Sequence, residues 1–230
     1  MYNNSEKKSS SKWRNVFSTI EGKILLASVA LVVLYCAGLF LTYVFSPRLF
    51  QFLIGMTAVH IIFGRAAAMS FGYTVGMGHF LVVFINMLIE TILVLFFYPL
   101  FVFSWQRLLV FSPLKRFMSR LTRAAERHRD KINKFGLIGL FIFVWFPFWM
   151  TGPLIGAIIG YLLGFRWWIN LAAVFIATYI ATIIWAMLLG ELYEFVANLS
   201  PYAPMVLLVI VLFIVVYLQF LMVNRRRTKK

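Results

Sequence analysis

The chain has 230 residues, 63% of them hydrophobic and 18% aromatic, with a mean hydropathy of +0.90 and a formal net charge of +15. Soluble domains are about 45–50% apolar, so this composition excludes an ordinary soluble domain and makes the lipid bilayer the solvent. The basic residues sit in short segments flanking apolar runs, which reads as membrane topology and contact with anionic lipid headgroups, not as nucleic-acid binding.

Residues 1–23 form a basic tail carrying Lys7, Lys8, Lys12, Arg14 and Lys23. The membrane domain is expected over 24–223. Its first apolar run, 24–45, follows that tail and is too long for the core of a cleaved signal peptide, so it is expected to stay as a helix. Cys36 lies in this run, lipid-facing or packed. A single cysteine excludes a disulfide framework within the chain and cannot by itself form a metal site.

Residues 46–103 make a first unit. The stretch 49–78 is broken at Gly64-Arg65 and ends in Gly72-x-x-x-Gly76-x-Gly78, after which 80–103 is a full-length apolar helix. Residues 104–134 are a basic cytoplasmic segment in which Leu114, Phe117, Met118 and Leu121 share one face of an amphipathic helix lying on the membrane surface. Residues 135–190 repeat the first unit. The stretch 136–164 is broken between Pro147 and Pro153 and carries Gly156-x-x-x-Gly160-x-x-x-Gly164, and the long helix 167–189 follows. Residues 191–201 are expected as a separate short helix on the outer face, 202–223 as a last crossing helix and 224–230 as a second basic tail.

A crossing helix needs about 20 residues, and each arm of the two broken stretches is shorter. If all basic segments are cytoplasmic, each broken stretch must cross an even number of times. The fold expected is therefore all-α, with four transmembrane helices and two opposed re-entrant helical hairpins in an inverted repeat. In that arrangement both termini are cytoplasmic. Two short full crossings in place of each hairpin satisfy the same parity. The GxxxG pattern has a second reading as a close-packing face, and burying it between two copies would make a homodimer.

Polar groups inside such spans are costly, so each is a candidate. Glu90 is the one acid deep in a predicted span, and Asn86 and His79 lie on the same helix face. A carboxyl that changes protonation as a substrate moves would couple transport to protons; the alternative is a structural pairing with an arginine or the helix backbone. Arg65 sits at the first break and suits an anionic headgroup or a pairing with Glu90. Arg166 lies one turn before Asn170 and is either a pathway residue or an interfacial anchor beside Trp167 and Trp168. The second tip contains Pro147, Thr151, Gly152 and Pro153, where prolines interrupt the helix ladder and free backbone groups need partners.

These tip residues, with the run 135–141 (Phe-Gly-Leu-Ile-Gly-Leu-Phe), Gly156, Gly160 and Gly164, resemble the small multi-drug export protein family. The Gly64-Arg65-Ala66-Ala67-Ala68 segment fits the same layout, and the likeness spans about residues 60–192. Three positions depart from the family pattern: Gly64 stands where an acid is common, and Trp149-Met150 replace a proline and a glycine at the tip. The chain is more distantly similar to the DedA membrane proteins. The resemblance implies export, and the DedA likeness implies movement of lipids or lipid carriers.

The function expected is a small secondary transporter of an amphipathic lipid, lipid carrier or drug in a bacterial inner membrane. The competing class is a non-transporting scaffold that organises lipids or partner proteins. His60, His79 and His128 are scattered, and no HExxH, nucleophile elbow or phosphate loop is present. No enzyme activity, metal or cofactor is expected.

Overall fold

In the computed structural model, residues 19–105, 136–145, 152–200 and 202–227 are described. The segments holding Pro147, Thr151, the amphipathic helix and most of the basic residues lie outside them. The described residues form eight helices: α1 Ile20–Phe45, α2 Pro47–Phe63, α3 Arg65–Thr74, α4 His79–Trp105, α5 Gly136–Trp145, α6 Gly152–Leu162, α7 Trp167–Leu199 and α8 Ala203–Arg227. Three of them, α1, α4 and α7, are long and apolar enough to cross a membrane. The shorter apolar helices α2, α5 and α6 rise about 25, 15 and 16 Å, below the ~30 Å hydrocarbon thickness.

Each helix boundary has a local cause. Thr19 caps α1, its hydroxyl accepting the Gly22 N–H at 3.1 Å. Pro47 opens α2, where its missing N–H costs nothing. Gly64 separates α2 from α3 with φ 90° and ψ −179°, a conformation that side-chain-bearing residues avoid. Its N–H closes α2 on His60 O and its carbonyl opens α3 by accepting from Ala68. A side-chain-bearing residue at this position would have to adopt that strained backbone.

The helices on either side of each break pack against each other. A Cβ on Gly55 of α2 would meet the Phe71 ring of α3, and one on Gly156 of α6 would meet Val144 and Leu140 of α5. Both α2–α3 and α5–α6 are therefore helical hairpins, each leading into a long helix. The two hairpin-to-helix turns are built alike. Met77 N–H bonds Gly72 O and Gly76 N–H bonds Tyr73 O; Phe165 N–H bonds Gly160 O and Gly164 N–H bonds Tyr161 O. Gly76 and Gly164 take φ 78° and 79°, the left-handed residue of a Schellman cap.

This match sets the repeat at 88 positions, pairing Gly72 with Gly160. Tertiary contacts keep the same register. Gly72 abuts Val82, and Gly160 abuts Asn170, 88 positions later in both cases. The Tyr73 hydroxyl donates to Ala186 O, and the counterpart residues Tyr161 and Tyr98 also meet, as ring neighbours. Reciprocal contacts of this kind are the signature of a two-fold relation. Thr91 and Tyr179 are themselves counterparts and hydrogen-bond to each other at 2.7 Å, so the local axis passes between them. Helices α4 and α7 run antiparallel through that point: His79, twelve residues before Thr91, lies beside Gly190, eleven residues after Tyr179.

In this register Asn170 corresponds to Val82 and Asn86 to Val174, so the asparagines on the two long helices are not repeat equivalents. The glycines align through their turns, and the two asparagines fall at different positions along their helices. One sequence expectation is corrected at residues 191–201. They form no separate helix through 199, because α7 continues unbroken for 33 residues, about 50 Å. Gly190 does not end the helix. It leaves room for Tyr73 and His79, whose atoms would lie 3.7 and 3.2 Å from a Cβ there.

Two apolar clusters flank the axis. Leu53, Met56, Ala68, Met69, Val82, Ile85 and Ile89 pack the first half against Ala186 and Leu189. Leu140, Val144, Ile155, Ile158, Ile159 and Val174 pack the second against Val94, Tyr98 and Phe101. Helix α1 leaves most of its apolar side chains exposed, Cys36 among them, as expected of a lipid-facing helix.

Gly160→Leu forces a side chain into Asn170 and is expected to destabilise the fold by about 1–3 kcal/mol, the usual cost of overpacking. Gly38→Leu meets nothing within 4 Å. Thermal unfolding in detergent should separate the two, with a lowered midpoint for the first and no loss for the second.

Candidate functional site

Four buried polar side chains converge beside the axis. His60 comes from the last turn of α2, Arg65 is the first residue of α3, and Asn86 and Glu90 sit one turn apart on α4. Their residual exposures are 1%, 4%, 0% and 6%. The Gly64 break brings His60 and Arg65 together: it reverses the chain within one residue, so the end of α2 and the start of α3 reach the same face of α4.

Arg65 is the link between the two hairpins. Its Nη2 donates to Val144 O at 3.1 Å and to Trp145 O at 2.9 Å, the last two described residues of α5. Hydrogen bonds from an ionised donor of this kind are roughly twice as strong as neutral ones. Arg65 Nη1 faces Glu90 Oε2 at 3.9 Å, and neither atom has a hydrogen-bond partner. His60 Nε2 faces Glu90 Oε1 at 3.9 Å, and His60 Nδ1 lies 2.8 Å from Asn86 Oδ1. The Asn86 amide is anchored in turn, its Nδ2 donating to Val82 O at 2.8 Å.

Magnitudes show why the arginine needs both sets of partners. Opposite unit charges at this separation attract by roughly 4 kcal/mol at an effective dielectric near 20. Removing each ion from water costs several kcal/mol. The ion pair alone does not offset two such penalties, and the charge-assisted bonds to the α5 carbonyls contribute the remainder.

The remaining residues singled out by sequence lie elsewhere. His79 is exposed at the start of α4, about 16 Å along the helix from Glu90, with Nδ1 3.0 Å from the Tyr73 hydroxyl. It shares the helix face of Asn86 and Glu90 but not their cluster. Arg166 is exposed at the start of α7 and makes no side-chain cap there. Asn170 is fully buried and donates to Ala157 O at 2.6 Å, joining α6 to α7. Gly152 and Pro153 open α6 and are buried. Among the described residues, no group of three or more His, Cys, Asp or Glu side chains could hold a metal.

His60 is the member that sequence reasoning missed. Its partner Asn86 lies 26 positions away on another helix, beyond the reach of helical periodicity. The available signal was its place one turn before a glycine break that carries an arginine.

Long apolar helices, two helical hairpins related by a local two-fold and a buried charged cluster where the hairpins meet define an all-helical membrane protein. Residues 65–184 match the model of the family described as "Putative small multi-drug export protein", just over half of the chain, and the chain belongs to that family. The match includes Arg65, Asn86, Glu90 and Asn170 and begins five residues after His60. No curated protein and no solved structure matches the chain.

Removing one partner of a buried ion pair strands the other, whereas replacing both with apolar groups is tolerated better. Arg65→Met is expected to lower stability by about 3–5 kcal/mol. The double variant Arg65→Met/Glu90→Met should lose less than the sum of the two single losses. Denaturant unfolding of the four proteins in one detergent measures that coupling.

Proposed function

We propose that this protein is a small secondary transporter that exports an amphipathic substrate, with protons as the coupling ion and Glu90 as the proton-binding residue. The observation that carries the reading is the buried Arg65–Glu90 pair where the first hairpin meets α5 of the second. A charge pair in hydrocarbon is expensive, and such groups mark ion and substrate pathways. The family's description supports export as the activity. A lipid or lipid-carrier cargo is the reading favoured by the DedA resemblance, and a drug by the family's description.

The proposed arrangement has four crossings, α1, α4, α7 and α8. Hairpin α2–α3 enters from outside and α5–α6 from the cytoplasm, with both termini cytoplasmic in the bacterial inner membrane. The reciprocal contacts across Thr91 and Tyr179 support such an inversion, since antiparallel halves related by an in-plane axis face opposite sides. Binding at the tips and rocking of one half against the other would give alternating access. Arg65 would be held by α5 and Glu90 in one state. Protonation of Glu90 removes its charge and leaves the guanidinium free to meet an anionic headgroup. The aromatic and methionine-rich interior suits an adaptable apolar pathway. Asn170, Arg166, His79 and the second tip, including Pro147, Thr151, Gly152 and Pro153, are proposed as supporting positions along that route.

The test uses proteoliposomes carrying a pH gradient, with a labelled anionic phospholipid in one set and a cationic dye in another. Wild type is expected to move at least one cargo, and Glu90→Gln to reduce the gradient-dependent part tenfold or more. If folded wild type moves neither, transport of these cargo classes is overturned. Cysteine accessibility in a Cys36→Ala background gives an independent check. Glu90→Cys is expected to react with a polar thiol reagent while Val94→Cys, in the apolar core, stays inert. An inert Glu90→Cys would favour the scaffold reading.

A further inference from the structure

The hydrogen positions in the His60–Asn86 pair follow from a single carbonyl. Val82 O can only accept, so the Asn86 nitrogen must be the atom that faces it at 2.8 Å. That orientation turns Asn86 Oδ1 toward His60 Nδ1, also at 2.8 Å. An amide oxygen can only accept, so Nδ1 carries the hydrogen. In a neutral imidazole the other nitrogen then holds a lone pair. That nitrogen, Nε2, is the one turned toward Glu90 Oε1.

We infer that His60 and Glu90 form a paired proton-binding site, with Asn86 as the positioning residue that fixes the histidine tautomer. The inference rests on the proton-coupled reading of Glu90 and adds a second acceptor to it. When the Glu90 Oε1–H bond breaks, an N–H bond forms at His60 Nε2, leaving a carboxylate and an imidazolium. The net charge of the pair is unchanged. What changes is the partner presented to Arg65: a neutral carboxylic acid before the transfer, a carboxylate after it. The location of one proton thus decides whether the guanidinium is neutralised locally.

Among the described residues, Arg65 is the charged neighbour that this pair faces. The charged group that faces Glu90 from α3 is Arg65, and the titratable group from α2 is His60. Tyr35 of α1 is bonded to Thr57, Tyr179 of α7 to Thr91, and Tyr161 of α6 packs on Tyr98. The assignment is specific to this half of the molecule. The position 88 residues after Glu90 is Thr178, and the one after Asn86 is Val174.

The experiment is nitrogen-15 NMR of histidine-labelled full-length protein in lipid nanodiscs over a pH series. Comparison with His79→Gln and His128→Gln chains assigns His60. The expected neutral form carries hydrogen on Nδ1 and a bare Nε2, the reverse of the tautomer preferred in water. Glu90→Gln is expected to shift the His60 titration by about one pH unit or more, as interacting sites do. Asn86→Leu should release the tautomer to a mixture. A neutral His60 with hydrogen on Nε2 overturns the inference, and that reading comes from the unsubstituted chain, so a misfolded variant cannot obscure it. A His60 titration unmoved in folded Glu90→Gln overturns it as well. No cargo is needed. A protein with the fixed tautomer and coupled titration that moves neither cargo keeps the proton site and loses the transport reading; the converse result loses only the site.

Discussion

Inside hydrocarbon no water is available to bond a carbonyl that a helix has left behind. Polar groups buried there must find partners within the protein. Here the Val144 and Trp145 carbonyls of α5 are bonded by Arg65, the first residue of α3 on the other hairpin. The bonds join the two hairpins, bury a cation and so call for an anion nearby. Glu90 supplies it from α4, and His60 and Asn86 fill the polar space around it. Much of the chemistry of the site therefore descends from burying one guanidinium where the two hairpins meet.

The helix breaks were readable because glycine and proline act locally. Gly64 adopts a backbone region closed to other residues, and Gly76 and Gly164 occupy the left-handed position of a cap. The Glu90–Asn86 pair was readable from helical spacing, and Arg65 from its place at a break. His60 was not, because its partners lie on other helices and no periodic pattern reports such a contact. Residues 191–201 follow an apolar run of spanning length, which suggested a separate element. In the fold α7 continues through Glu191 and Glu194 to Leu199, so the change there is of composition and not of backbone. The asparagine mismatch has a similar origin: glycines that build turns hold their register through backbone geometry, whereas a polar side chain follows whatever faces it.

The halves share their backbone plan but not their polarity. The first contributes His60, Arg65, Asn86 and Glu90, while the corresponding described positions of the second hold Pro153, Val174 and Thr178. In exchange, Asn170 stands where the first half has Val82, and its amide joins α6 to α7. One half carries the charges and the other supplies the helix end that receives them.

Thr91 and Tyr179 meet their own counterparts across the local axis. In an assembly of two identical chains, a residue on such an axis faces a second copy of itself, so its size is limited to half the available space. Two tyrosines would crowd the gap between α4 and α7, and two threonines would leave it underfilled. A large residue opposite a small one fits, and two identical chains cannot encode that pairing. Joining the halves thus lifts a symmetry restriction on substitution at the centre of the molecule, and each half carries a surface matched to its partner and mismatched to itself.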